Sequence, residues 1–284
     1  MKILVTGATG QLGYDVIREG NKNGMDMHAV GSKDLDITKK ADIDRYVTGL
    51  KPDAIIHCAA YTAVDKAEDD KETAWKVNVD GTEYLAHAAK EIDAKFLYVS
   101  TDYVFNGQGE EPFTETDEIN PIGYYGLTKH EGEKVVKNLI ARSFIVRISW
   151  VFGINGNNFI KTMLRLAESH RELNVVSDQI GSPTYTYDLA KLLIEMIQSE
   201  QYGTYHATNE GFCSWAEFAA EIFKQSNKAV KVNAITTEEY PTRAVRPKNS
   251  RMAKDKLTEH GFQKLPKWQD ALTHYLDELK QEVN

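Results

Sequence analysis

Short apolar runs alternate with stretches of helical period along the first half of the chain. Residues 2–6, 27–30, 54–58, 96–100 and 144–148 are brief, β-branched or aromatic, and bounded by polar or turn residues. Runs of this kind suit strands of a parallel sheet covered on both faces. Between them, residues 12–19, 39–50, 72–92 and 124–140 carry apolar positions at helical spacing. They are long enough to serve as right-handed crossovers between parallel strands. The pattern predicts an α/β fold built on a Rossmann-type doubly wound parallel sheet.

Beyond residue 150 the alternation weakens. Helices are predicted over 158–169, 187–198 and 214–225, the last opened by Ser214 and Glu217 at the spacing of a capping box. A final helix over 268–280 sets Ala271, Leu272, Tyr275 and Leu279 on one face. Residues 236–250 hold two prolines and little periodicity, which reads as an ordered loop of a second lobe. No repeat, low-complexity tract or flexible linker separates the halves. The expectation is a dinucleotide-binding domain over 1–149, with part of 186–206 packed on it, and a smaller, interleaved substrate lobe over 150–284. The cleft between them is the expected ligand site.

Composition narrows the functional classes. The 284 residues include 34 Lys and Arg against 42 Asp and Glu, a net charge of −8. That balance argues against a protein that envelops a nucleic-acid backbone, which needs clustered cations. The cysteines, Cys58 and Cys213, lack the spacing of a zinc site or redox pair and read as thiols in a reducing compartment. Met1-Lys2 leads straight into Ile3-Leu4-Val5, with neither a long apolar run nor a cleavage site behind it. The expectation is a soluble, cytoplasmic protein with no membrane or nucleic-acid partner.

The candidate chemistry begins immediately after the first strand. Gly7, Gly10 and Gly13 occur in GATGQLG (7–13), which opens the first helix. A glycine at 7 permits the tight turn, Gly10 a close approach to a pyrophosphate, and Gly13 close packing of helix on sheet. The helix N-terminus adds its own preference for an anion. At the end of the second strand, Gly31, Ser32 and Lys33 stand where an acidic residue often binds the adenosine ribose. Ser32 and Lys33 favour a 2′-phosphate, so NADPH is the expected cofactor, with NADH still accepted because Asp34 and Asp36 follow. Asp36 and Ile37 are placed beside adenine. The small-residue run Ala59, Ala60, Tyr61 and Thr62 is placed along the ribose and pyrophosphate.

A second constellation carries acid-base chemistry. Tyr125 and Lys129 stand four apart on one face of a predicted helix, and the fourth strand ends in Ser100-Thr101-Asp102. An ammonium beside a phenol stabilises the phenolate, which is how a group of high pKa becomes useful near neutrality. Thr101 orients a carbonyl oxygen in this reading and Tyr125 delivers the proton. Tyr124 lacks a lysine four residues on. Tyr-x-x-x-Lys alone is common on solvated helices; its company here gives it weight.

These motifs resemble the extended branch of the short-chain dehydrogenase/reductase superfamily, whose members act on nucleotide sugars. The likeness is greatest to its dTDP-4-dehydrorhamnose reductase family, through GATGQLG, DLDIT, AAYTAVDKAE, STDYVFNG, YGLTKHEGE, RISWVFG, DQIGSPTY and AVRPKNSR. The resemblance spans nearly the whole chain. It implies NADPH-dependent reduction of a dTDP-linked keto sugar, with Thr101, Tyr125 and Lys129 as catalytic residues. It also implies substrate contacts by Thr101, Asp102, Tyr125 and Trp150. Gly10, Gln11 and Leu12 fall on the pyrophosphate, and Lys129 on the nicotinamide ribose. Arg246 is assigned to the nucleotide diphosphate by motif position and charge. Some members of the family dimerise through magnesium, and Asp15 falls where one acidic ligand would lie. The remaining ligands are not evident, so no metal is expected, and the chain is read as a monomer or homodimer. Two other readings stay open: an epimerase or dehydratase of the same fold, and a non-catalytic NADP-binding regulatory subunit. A dehydratase often carries Asp-Glu after the strand-end threonine, whereas Asp102 is followed by Tyr103.

Overall fold

The computed structural model describes residues 1–283, and side chains through residue 281. The first half runs β1 (Lys2–Thr6), α1 (Gln11–Lys22), β2 (Asp26–Val30), α2 (Lys40–Leu50) and β3 (Ala54–His57). It continues through α3 (Val64–Ala67), α4 (Lys71–Trp75), α5 (Gly81–Glu91), β4 (Lys95–Thr101), α6 (Tyr124–Leu139) and β5 (Ser143–Ile148). The predicted helix over 72–92 is one continuous body, with a π-turn, Lys76–Asp80, joining α4 to α5.

The second half supplies β6 (Val151–Phe152), α7 (Phe159–Leu166), β7 (Glu172–Val176), β8 (Ile180–Gly181), β9 (Thr184–Tyr185), α8 (Thr186–Gln198) and β10 (Gly203–His206). It ends with β11 (Cys213–Ser214), α9 (Trp215–Gln225), β12 (Lys231–Ile235), α10 (Asp255–Glu259) and α11 (Trp268–Val283). The capping box at α9 is formed, with both Ser214 and Glu217 engaged. Among the described residues no helix is long and apolar enough to cross a membrane. Both cysteines are free.

Among the described residues, six strands form the main sheet in the order β10-β5-β4-β3-β1-β2, with every pairing parallel. The pleat divides each strand between two cores. Ile3, Val5, Ile56, Leu97, Phe144 and Val146 pack against α1 and α8, while Leu4, Ile55, Phe96, Tyr98 and Ile145 pack against α2, α5 and α6. Strands buried on both faces need this continuous apolar character. β10, not foreseen as a strand, lies beside β5, and α8 packs on α1. A third core gathers α7, α9 and α11 around Phe152, Phe218 and Tyr275.

Polar residues interrupt the α6 side of the sheet. Ser100 and Arg147 follow the same pleat phase as Tyr98 and Ile145, and both meet Glu133 of α6. Glu133 accepts from Ser100 Oγ at 2.6 Å, Arg147 Nε at 2.8 Å and Arg147 Nη2 at 2.7 Å. Burial would raise the Glu133 pKa, but the Arg147 hydrogen bonds and charge, with Ser100, hold it below the ordinary value. Breaking a buried pair leaves one uncompensated charge, whereas removing both does not. Glu133→Ala is therefore expected to lower unfolding free energy by about 3–5 kcal/mol in urea denaturation, and Glu133→Leu combined with Arg147→Met by less. A single variant as stable as the parent would contradict this account.

Candidate active site

On either side of β1 the strand order reverses, and a cavity of about 640 Å³ opens there at the C-terminal edge of the sheet. Gly7, Gly10, Gln11, Leu12 and Gly13 form one wall. Gly7 adopts φ +68°, and a Cβ on it would lie 2.6 Å from the Ala59 nitrogen. Helix α1 begins with Gly10 as N-cap and no side-chain capping bond among the described residues. Its first amides and its dipole are thus available to an anion. This cradle fits the pyrophosphate of a dinucleotide.

The end of the cavity expected from the sequence to take adenosine is lined by Gly31, Ser32, Asp36 and Ile37. Lys33 does not line the cavity. Asp34 folds back to accept from the Gly31 nitrogen at 2.8 Å, and Asp36 accepts from the Thr38 nitrogen and hydroxyl at 3.0 and 2.7 Å. Both carboxylates are committed to local turns. Opposite, Ala60, Tyr61 and Thr62 form the other wall. Asn78, in the π-turn, grips both sides of the Tyr61 backbone. Its Oδ1 accepts from the Tyr61 nitrogen at 2.8 Å, and its Nδ2 donates to the Tyr61 carbonyl at 3.2 Å and to Thr128 Oγ1 at 2.9 Å. The wall is thereby tied to the helix that bears Lys129.

Thr101, Tyr125 and Lys129 converge on the inner end of the same cavity. The Thr101 hydroxyl donates to Asp102 Oδ1 at 3.0 Å and accepts from the Tyr103 nitrogen at 3.2 Å. Asp102 Oδ2 is buried and makes no hydrogen bond among the described residues. Burial pushes the Asp102 pKa up to about 6, with the nearby Ser250 and Thr101 hydroxyls offsetting part of the effect. Burial also raises Tyr125, Asp102 adding to the shift and Thr101 opposing it. The phenol is therefore fully protonated near neutrality. Lys129 is 2% exposed, and its ammonium lies 4.0 Å from the centre of the Tyr98 ring. Burial pulls its pKa down to about 7, against the opposing charge of Glu133. In the free protein burial and the Asp102 charge dominate the Tyr125 phenol, with Thr101 opposing them.

Of the residues expected to contact the sugar nucleotide, Trp150 lines the cavity and Arg246 does not. The Arg246 guanidinium pairs with Asp65 at 2.6 Å and donates to the Tyr103 hydroxyl at 3.3 Å. The loop over 236–250 is also tied to the first half by Ala244 N to Asp65 at 2.9 Å and by Arg243 to Asp69 at 2.6 Å. Two features escaped the sequence reading. Residues 153–158 fold over the glycine turn, with Asn155 Nδ2 donating to the Thr9 carbonyl at 2.8 Å and the Gly153 nitrogen to Gln11 Oε1 at 3.0 Å. The Gly- and Asn-rich run after Trp150 was the available signal for that loop. The other feature is the Asn78 clamp, which only a mid-helix asparagine announced.

A family model described as RmlD substrate binding domain matches residues 1–281. The chain is 43% identical to a dTDP-4-dehydrorhamnose reductase of Aggregatibacter actinomycetemcomitans, over 95% of this chain and 97% of that one. A crystal structure of a dTDP-4-dehydrorhamnose reductase from Clostridium acetobutylicum superposes with a TM-score of 0.97 at 44% identity, covering 99% and 100% of the two chains. The Bacillus anthracis dTDP-4-dehydrorhamnose reductase, solved in complex with NADP, gives a TM-score of 0.95 at 43% identity, over 98% and 100%. With the glycine cradle, the Tyr-Lys helix face and nearly the full length matched, the chain belongs to the RmlD substrate binding domain family.

Proposed function

We propose that the protein reduces the 4-keto group of dTDP-4-dehydro-L-rhamnose (dTDP-6-deoxy-L-lyxo-4-hexulose) to dTDP-L-rhamnose with NADPH, the last step of dTDP-rhamnose synthesis. The carrying observation is that Thr101, Tyr125 and Lys129 share one cavity with the glycine cradle, in a chain whose full-length relatives bear that activity. Residues 1–149, with α8 and β10, would form the dinucleotide-binding unit, and most of 150–284 the sugar-binding lobe.

NADPH, when bound, supplies the hydride that adds to the C4 carbonyl carbon. The protein's own groups handle the oxygen. Tyr125 gives its hydroxyl proton to that oxygen as the carbon–oxygen double bond becomes single. Thr101 positions the same oxygen, its hydroxyl already oriented by the Tyr103 nitrogen and Asp102. A positive Lys129 stabilises the phenolate left behind and bonds the cofactor ribose. The unpaired Asp102 Oδ2 accepts from a sugar hydroxyl, an arrangement that leaves no buried acceptor unmet. Trp150 offers a flat apolar surface to the ring. Arg246 would join the diphosphate by exchanging Asp65 for it, since both offer anionic oxygens to a guanidinium. The second acid of a dehydratase has no counterpart at Tyr103, whose ring packs edge-on against Tyr125.

The direct test supplies NADPH and the keto sugar, follows loss of nicotinamide absorbance, and identifies the product by NMR. Stoichiometric NADPH consumption with dTDP-L-rhamnose formed is expected. Intact NADPH with folded protein would instead favour the regulatory reading.

Two substitutions should then separate chemistry from binding. Tyr125→Phe is expected to lower kcat about a hundredfold to ten-thousandfold while NADPH affinity stays within about twofold. Lys129→Met should lower both turnover and NADPH affinity, yet stabilise the fold. Below about pH 7 the folded protein holds a buried ammonium that the unfolded chain exposes to water, so the penalty is complete there. It fades as pH rises towards the ordinary lysine value, where the unfolded lysine also loses its proton. The Lys129→Met melting temperature should exceed the parent's by about 2–4 °C at pH 6.5 or so, and the gap should close near pH 10 or so.

A further inference from the structure

Trp150 is held in an unusual backbone conformation. Its φ is +49°, in the left-handed region that an aromatic residue occupies only where its surroundings over-determine it. Such outliers cluster at ligand sites, and this one lines the cavity. The restraint comes from several sides. The Thr184 nitrogen donates to the Trp150 carbonyl at 3.1 Å, and the flanking β6 pairs with β9. The indole stacks on Trp215, ring centres 3.8 Å apart and planes 16° from parallel.

Trp215 is itself fixed from behind. It is the first residue of α9, directly after the Ser214 cap, where Glu217 N donates to Ser214 Oγ at 3.1 Å and Ser214 N to Glu217 Oε2 at 2.7 Å. Phe159 packs on its ring at 4.7 Å. Strand β11, which delivers Trp215, pairs antiparallel with β8, and Cys213 stands opposite Gly181. A Cβ on Gly181 would lie 2.9 Å from the Trp150 six-membered ring, closer than side-chain contacts allow. One short ladder thus brings a stacking partner to the indole and removes the side chain that would displace it.

We infer that Trp215 is a positioning residue of the sugar subsite: stacked on Trp150, it holds that indole in its left-handed setting as the platform for the apolar C–H face of the substrate's sugar ring. Trp215 does not line the cavity, so it acts through Trp150. Gly181 serves the same end by leaving space. The inference rests on the reading of Trp150 as a sugar contact.

The test compares the parent with Trp215→Ala, Trp215→Phe and Gly181→Ala in steady-state reduction of the keto sugar, alongside NADPH titration by its fluorescence and near-ultraviolet circular dichroism. Trp215→Ala should raise the sugar KM about tenfold, leave the NADPH dissociation constant within about twofold, and abolish the signal of the stacked indoles. Trp215→Phe should recover most of the KM, since it restores a stacking ring. Gly181→Ala, which crowds the same indole from the ladder, should shift KM in the same direction as Trp215→Ala without touching Trp215. If Trp215→Ala does not fold, Gly181→Ala decides the matter. A parental sugar KM in Trp215→Ala or in Gly181→Ala, or a loss of NADPH affinity in step with the KM, overturns the inference and leaves the functional reading standing. A folded parent that binds NADPH yet does not reduce the sugar overturns both.

Discussion

A carboxylate sealed from water holds the chemistry in register. Glu133 lies eight residues beyond Tyr125 and four beyond Lys129 on α6, and it is bound to Ser100 on β4 and Arg147 on β5. Ser100 directly precedes Thr101, so one buried ion pair sets the distance between the strand-end hydroxyl and the Tyr-Lys face. Close backbone packing reinforces the setting, for a Cβ on Gly132 would lie 2.3 Å from the Tyr98 hydroxyl and 2.8 Å from the Asn78 carbonyl. If α6 slid by a fraction of a turn, Glu133 would lose its partners and the charge would stand unpaired in an apolar core. The geometry of the cavity is therefore enforced by the expense of every alternative.

A second buried chain joins the cradle to the helix. The Thr82 hydroxyl donates to the Asn78 carbonyl at 2.8 Å, so it must accept from His57 Nε2, 3.1 Å away. The imidazole is thus protonated on Nε2, and its Nδ1 accepts from the Thr6 hydroxyl at 2.7 Å. Burial and the Lys129 charge hold His57 at a pKa of about 3, which keeps it neutral and the direction of the chain fixed. From Asn78 the path continues to Tyr61 and Thr128, whose hydroxyl donates to the Tyr125 carbonyl at 2.9 Å. Strands β1 and β3, the Ala60–Thr62 wall and α6 are consequently parts of one rigid unit.

What was legible in the sequence was local. The period of each apolar run gave the strands it marked within a residue and the helices within three, because pleat and helical repeat are short-range properties. GATGQLG and Tyr-x-x-x-Lys were readable because each motif lies within a single turn or helix face. What was hidden depended on distant partners. β10 is four residues long and is made a strand by β5, nearly sixty positions earlier. Arg246 was read by its charge, but Asp65, 181 positions away, has claimed its guanidinium. Lys33 was placed at a 2′-phosphate on proximity in sequence, whereas the Gly31–Asp34 turn leaves it off the cavity wall. Lys129 was expected to face Tyr125, yet it rests against Tyr98 from the neighbouring strand.

Buried charges separate scaffold from site more sharply than burial alone. Glu133, Lys129 and Asp102 are each at most 3% exposed. Glu133 has a full set of donors, and its pKa stays below the ordinary value despite burial. Its charge is compensated within the fold, so it stabilises the fold and asks nothing of a ligand. Lys129 faces an aromatic ring rather than a carboxylate, and Asp102 keeps an oxygen without a hydrogen bond. Both are driven towards their neutral forms, to about 7 and about 6. Groups in that condition weaken the free protein. They are tolerable where a ligand brings the missing partners, and these two line the cavity that contains the glycine cradle. A buried charge with all its partners belongs to the frame, and a buried charge still lacking them marks where a ligand can supply the missing ones.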